Sequence, residues 1–185
     1  MRLIDRFLKK FFDNLELNIF DVEKINTHGG SIRVFISQNK KIKVEKSVNK
    51  MLKEEEDFGL KKIETYIDFG KKIEGLKQKV KFNLKKLKQK YNKIVGFGSP
   101  AKATTSLNYF GISSEIDFII EDNDLKDGMF VPGVNIPIKH KSKLNKNEIK
   151  KDDCILVFAW NFYDEIKKNN NYLSKTFINI KSLEK

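Results

Sequence analysis

The chain has 185 residues, 34% charged and 39% hydrophobic, a length that builds one good core or a core plus part of a second domain. No run approaches the roughly 20 apolar residues of a membrane span, and the charged opening MRLIDRFLKKFF is not a secretory signal. The formal net charge of +12 first points to nucleic acid, but the only arginines are Arg2, Arg6 and Arg33, the lysines alternate with glutamates, and no nucleic-acid-binding signature is present; the charge suits an anionic ligand such as a nucleotide diphosphate.

Residues 2–13 read as a helix whose Ile4, Phe7, Leu8 and Phe11 share one face, packing on a sheet in preference to lying on a membrane surface. LELNIFDVEKI (15–25) and SIRVFIS (31–37) alternate as strands. The NTHGG between them predicts an antiparallel hairpin. From about Val44 to Tyr91 the chain is rich in lysine and glutamate. Ile63, Tyr66, Ile67, Ile73, Leu76, Val80, Leu84 and Leu87 recur at gaps that give one apolar helix face, read as packing on the chain's own core rather than as a coiled coil. Gly59, Gly70 and Gly75 are the positions expected to break or bend these helices. From Lys93 strands and helices alternate: KIVGFG, a helix from Pro100 to Gly111, EIDFIIED, a loop FVPGVNIPI leading into a short strand, DDCILVFAW, a helix NFYDEIKKN, and a last strand TFINI. Such alternation predicts a parallel sheet with crossovers.

Cys154, the single cysteine, lies in the apolar CILVFAW and reads as a core thiol. It allows no internal disulfide and points to the cytoplasm. His28 and His140 with one cysteine do not make a zinc site, so no metal is expected.

Four stretches could carry chemistry. In the first, Gly96-x-Gly98-x-x-Ala101 follows a strand and opens a helix, with Pro100 in the first turn and Lys102 adding a charge. With Glu121 or Asp122 ending the next strand, the pattern suits NAD; a glycine turn with no ligand fits equally well. In the second, THGGSIRVF, Arg33 either grips a carboxylate or phosphate or pairs with Glu16 or Glu23 across the hairpin, and His28 is a weak base candidate that reads better as structural. In the third, AWNFYDEI, Trp160 and Asn161 stand at a strand's carboxyl end; either they contact a base or sugar, or Trp160 is core and Asn161 caps a helix. The fourth, VPGVNIPI, is a rigid turn at Pro132-Gly133.

In this order and spacing THGGSIRVF, GFGSPAKATTSLNYFG, EDNDLKDGMFVPGVNIPI and FAWNFYDEI closely resemble the C-terminal region of the sugar-nucleotide (deoxysugar) C-methyltransferases over nearly the whole chain. The matching positions are His28, Gly29, Gly30, Ser31 and Arg33; Gly96, Gly98, Ala101, Lys102, Thr105, Asn108 and Gly111; Asp122, Lys126 and Gly128; Pro132, Gly133, Ile136 and Pro137; Trp160 and Asn161. Ala103 and Ser106 depart from the family's usual glycine and leucine. The family's zinc cysteines, glycine-rich S-adenosylmethionine loop and Tyr-His-Glu-His run have no counterpart in this sequence.

The resemblance implies an α/β fold, a Rossmann-like, mostly parallel sheet with flanking helices, preceded by a helix and an antiparallel hairpin left over from a methyltransferase domain. It implies three parts: residues 1–37 as that remnant, 38–92 as a helical connector and 93–185 as the C-terminal domain. The function implied is the nucleotide-sugar domain of an enzyme that transfers a methyl from S-adenosylmethionine to a ring carbon of a keto-deoxysugar nucleotide. The donor is expected on the complete enzyme and not on this chain, which alone is expected to be inactive. Expected substrate contacts are His28, Ser31, Arg33, Gly96, Gly98, Ala101, Lys102, Thr105, Asn108, Asp122, Lys126, Pro132, Gly133, Trp160 and Asn161, with no catalytic residue beyond the weak candidate His28.

Two alternatives remain, a non-catalytic nucleotide-sugar binding module and an NAD-binding protein built on Gly96–Asp122. Neither nucleic acid nor membrane is an expected partner. Phe12, Leu15, Leu17, Ile19, Val22 and Ile25 are expected to lack cover, which calls for self-association or a partner chain carrying the missing domains.

Overall fold

A computed structural model describes residues 6–27 and 29–185. The chain forms two compact units, residues 1–71 and 72–185.

In the first unit, helix α1 (Arg6–Asn14) precedes strands β1 (Asn18–Ile25) and β2 (Ser31–Ser37), followed by helix α2 (Lys46–Asp57). The strands pair antiparallel, as the NTHGG turn predicts, with an irregularity between Ile19 and Asp21. Ile19 and Val22 are not left bare. Val48 and Met51, one helical turn apart on α2, bury them in a small core to which Phe12 adds its ring. The expectation of an uncovered hairpin face therefore fails for these two residues: α2 carries the apolar face that fits them. Leu15 does remain exposed.

Helix α3 (Ile63–Lys90) runs through the division between the units. Gly59 separates α2 from α3, but Gly70 and Gly75 lie inside α3 without interrupting it. Helix hydrogen bonding outweighs the roughly 1 kcal/mol that each glycine costs relative to alanine.

The second unit is a five-stranded parallel sheet in the order β5-β4-β3-β6-β7. Its strands are β3 (Ile94–Phe97), β4 (Ile119–Glu121), β5 (Ile138–His140), β6 (Cys154–Val157) and β7 (Thr176–Asn179). Helix α4 (Ala101–Phe110) follows β3, and helix α5 (Tyr163–Asn169) follows β6. The central strands IVGF and CILV are buried at every position, as strands covered on both faces must be.

Alternation divides the core in two. Ile94, Cys154, Leu156 and Phe158 meet α3 through Val80 and Leu84 and α4 through Ala103 and Leu107. Val95, Phe97, Ile155 and Val157 face the opposite layer with Ile166 of α5. Each fully buried Val, Leu, Ile or Phe side chain among these contributes about 1.5–3 kcal/mol. Cys154 is a core thiol whose pKa burial pushes up to about 12. No helix among the described residues is long and apolar enough to cross a membrane.

The order of the sheet fixes where a site can form. From β3 the chain moves outward to β4 and β5, then returns to place β6 on the other side of β3. Ligands of such sheets bind where the strand order reverses, beyond the carboxyl ends of these two strands.

Candidate functional site

Two polar regions stand at this carboxyl edge. The first is a cleft of about 380 Å³ lined by Gly98, Ser99, Glu121, Asp122, Lys126 and Lys141, with Phe97 and Ile166 on its apolar side. The charges of Glu121, Asp122, Lys126 and Lys141 are paired. Glu121 accepts from the hydroxyl and the N–H of Ser99, the latter at 2.9 Å, and from the N–H of Asp122 at 3.0 Å. The Lys126 ammonium lies 3.3 Å from the same carboxylate and donates to the Ser99 carbonyl at 2.9 Å. Burial alone would raise the Glu121 carboxyl, but the Ser99, Asp122 and Lys126 donors outweigh it and hold the pKa below its ordinary value. Asp122 pairs with Lys141 at 2.9 Å.

This arrangement bears on the dinucleotide pattern. An acid at the end of the second strand should be open to a ribose diol, and the glycine turn should offer free N–H groups to phosphate. Here Glu121 is engaged by the turn after β3 and by its own following N–H, and it takes the Ser99 N–H that a phosphate would need. The glycines have packing reasons. A Cβ on Gly96 would stand 2.8 Å from Ile119 and 3.0 Å from Phe158. Gly98 has φ +82, and a Cβ there would stand 2.8 Å from that of Ala159. The donor set thus fits neither NAD nor the adenosine of S-adenosylmethionine at this turn.

The second region lies on the α4 side. Pro100 caps α4 from an extended conformation rather than occupying its first turn, which leaves the N–H groups of Ala101 and Lys102 at the helix opening. Ala101, Lys102, Thr105 and Asn108 form one exposed strip of the helix. Asn108 donates to the Pro132 carbonyl at 2.9 Å. Gly133 has φ +83, and a Cβ on it would collide with the Asn108 amide. Asn108, Pro132 and Gly133 are therefore one fitted contact that clamps the loop to α4, and Thr105 bonds back to the Ala101 carbonyl.

At the head of this strip the Lys102 ammonium sits 4.4 Å from the centroid of the Trp160 ring, and Lys181 sits 3.3 Å from the same ring. The half-buried ring packs against the α4-side core. Asn161 is exposed beside it, in the turn Trp160–Phe162; the cap of α5 is Phe162, so Asn161 does not cap the helix.

Of the expected contacts, Gly98, Asp122 and Lys126 gather at the paired cleft, and Ala101, Lys102, Thr105, Asn108, Pro132, Gly133, Trp160 and Asn161 along the α4 side. Gly96 is sealed in the sheet. In the first unit Arg33 pairs with Glu23 at 3.1 Å, the cross-strand alternative, and Ser31 donates to the Thr27 carbonyl. His28 lies outside the described residues. The sequence reading missed Ser99 and Lys141, which close the cleft, and Lys181. The available signal for Lys181 was its position two residues past a parallel strand.

A five-stranded parallel sheet with helices on its faces and glycine turns fitted for packing defines a Rossmann-like α/β domain. The particular family is shown by comparison: residues 26–179 match the C-methyltransferase C-terminal domain, and the chain belongs to that family. It is also similar to the C-methyltransferase NovU of Streptomyces niveus, at 29% identity over 160 residues. The alignment covers 85% of this chain and 37% of that protein, so the chain spans little more than a third of the relative's length.

Proposed function

We propose that this chain is the nucleotide-sugar domain of a cytoplasmic C-methyltransferase that moves a methyl group from S-adenosylmethionine to a ring carbon of a keto-deoxysugar nucleotide. The observation that carries the reading is Lys102. It stands at the opening of α4, 4.4 Å over Trp160, at the sheet's carboxyl edge and with no ion-pair partner among the described residues. The first N–H groups of α4 add partial positive charge to its full one. The diphosphate rests there, and Trp160 and Asn161 border the sugar or base.

Holding the nucleotide fixes the sugar carbon for chemistry at a distance, because binding energy from a remote group can be used to position the reacting one. Neither Cys154, buried with its pKa near 12, nor Glu121, engaged by the turn after β3, is suited to take a proton from a sugar. In this reading the donor site and the base belong to a partner chain or further segment, and this chain alone gives no methyl transfer.

Calorimetric titration tests the reading. A deoxysugar nucleotide diphosphate is expected to bind saturably and S-adenosylmethionine not to bind. Binding of the methyl donor alone, or robust turnover by this chain, would contradict it.

A further inference from the structure

We propose that Lys181 is the second cation of a two-lysine diphosphate clamp built around Trp160, an inference that rests on the nucleotide-sugar reading and adds a residue to it. Lys181 lies beyond the stretch that matches the family model, which ends at residue 179. The sheet brings it to the ring. Strands β6 and β7 run parallel, with Val157 opposite Asn179, so the residues just past both ends emerge side by side. Trp160 leaves β6 there, and Lys181 leaves β7.

The position is built rather than trailing. Asn179 caps the short turn Ile180–Glu184 by accepting from the Lys181 N–H at 3.0 Å. Ile180 and Leu183 on either side are buried in the core, and Asn83 of α3 donates to the Leu183 carbonyl at 3.0 Å. The backbone of Lys181 is thus held on three counts while its side chain stays exposed and reaches the indole.

The charge arrangement points to an anion. Both ammonium groups approach one ring, so they are separated by less than their two ring distances together. Like charges this close repel, and the negative face of the indole offsets only part of that repulsion. Among the described residues no carboxylate forms an ion pair with either lysine, whereas Lys126, Lys139, Lys141 and Lys143 all have acids. A diphosphate carries separate negative groups that can bridge two ammoniums and relieve the repulsion, with the N–H groups opening α4 completing the site.

Trp160 is the chain's single tryptophan, so its emission reports on this place alone. The test is calorimetric titration of the full chain with inorganic pyrophosphate, with Trp160 emission followed in parallel. Lys181→Gln is expected to weaken binding about fivefold and Lys102→Gln similarly. Lys181→Arg should retain it, and Lys175→Gln, which removes an exposed lysine paired with Asp152, should leave it unchanged. Wild-type affinity in Lys181→Gln beside a loss in Lys102→Gln would overturn the clamp and leave the nucleotide-sugar reading standing. No pyrophosphate binding by the wild type, or an equal loss in Lys175→Gln, would overturn both.

Discussion

In the cleft beside Glu121 each lysine has an acid; on the α4 side of the same sheet edge Lys102 and Lys181 share one indole ring and have none among the described residues. Both regions stand where an open α/β sheet binds ligands. The difference separates two uses of charge. Paired charges with satisfied hydrogen bonds hold a loop in place, and their removal is felt as lost stability. Unpaired charges held close together contribute little to folding and leave a field for a ligand to fill.

The largest expected effect breaks the cleft. Glu121→Ala leaves Ser99, Asp122 and Lys126 without their shared acceptor and should cost about 2–3 kcal/mol in urea unfolding. Acid should act in the same direction. Because the folded pKa of Glu121 is lowered, its contribution is complete above the ordinary value of 4.5 and is lost as pH falls below that value through the folded one. Unfolding midpoints measured across that interval should fall less steeply in Glu121→Gln than in wild type.

A smaller effect is expected at the contact between α4 and its loop. Gly133→Ala sets a Cβ against the Asn108 amide at φ +83 and should cost about 2 kcal/mol, read as a lowered melting temperature. The smallest stability change is expected on the cationic side. Lys102→Gln removes an exposed cation–π contact and should cost less than about 0.5 kcal/mol, yet it should weaken a nucleoside diphosphate about fivefold in calorimetry. A large loss of stability in Lys102→Gln would erase the distinction between the two regions.

Much of the fold is legible in the sequence because its signals are local. IVGF and CILV are short apolar runs between helical patterns, the mark of strands buried on both faces. The cover over the hairpin was also present, in the three-residue gap between Val48 and Met51, but it was masked by the surrounding lysines and glutamates.

The site is less legible because its causes are distant in the chain. Gly96 and Gly98 fit a phosphate-binding pattern, yet what requires them is Phe158 and Ala159, which the sheet places against them. Arg33 reads equally as a ligand contact or a cross-strand pair until the register sets it opposite Glu23. Lys181 is one lysine among many, and only the parallel pairing of β6 with β7 sets it on Trp160.

The central claim, that nucleotide diphosphate binds the unpaired side of the edge and not the paired cleft, is tested most directly by amide and indole chemical shifts. The ¹⁵N-labelled chain would be titrated with a deoxysugar nucleotide diphosphate. The account predicts saturable shifts at Lys102, at the Trp160 indole N–H and at Lys181, with Asp122, Lys126 and Lys141 unmoved. Shifts concentrated at those cleft residues, with the Trp160 indole unmoved, would contradict it.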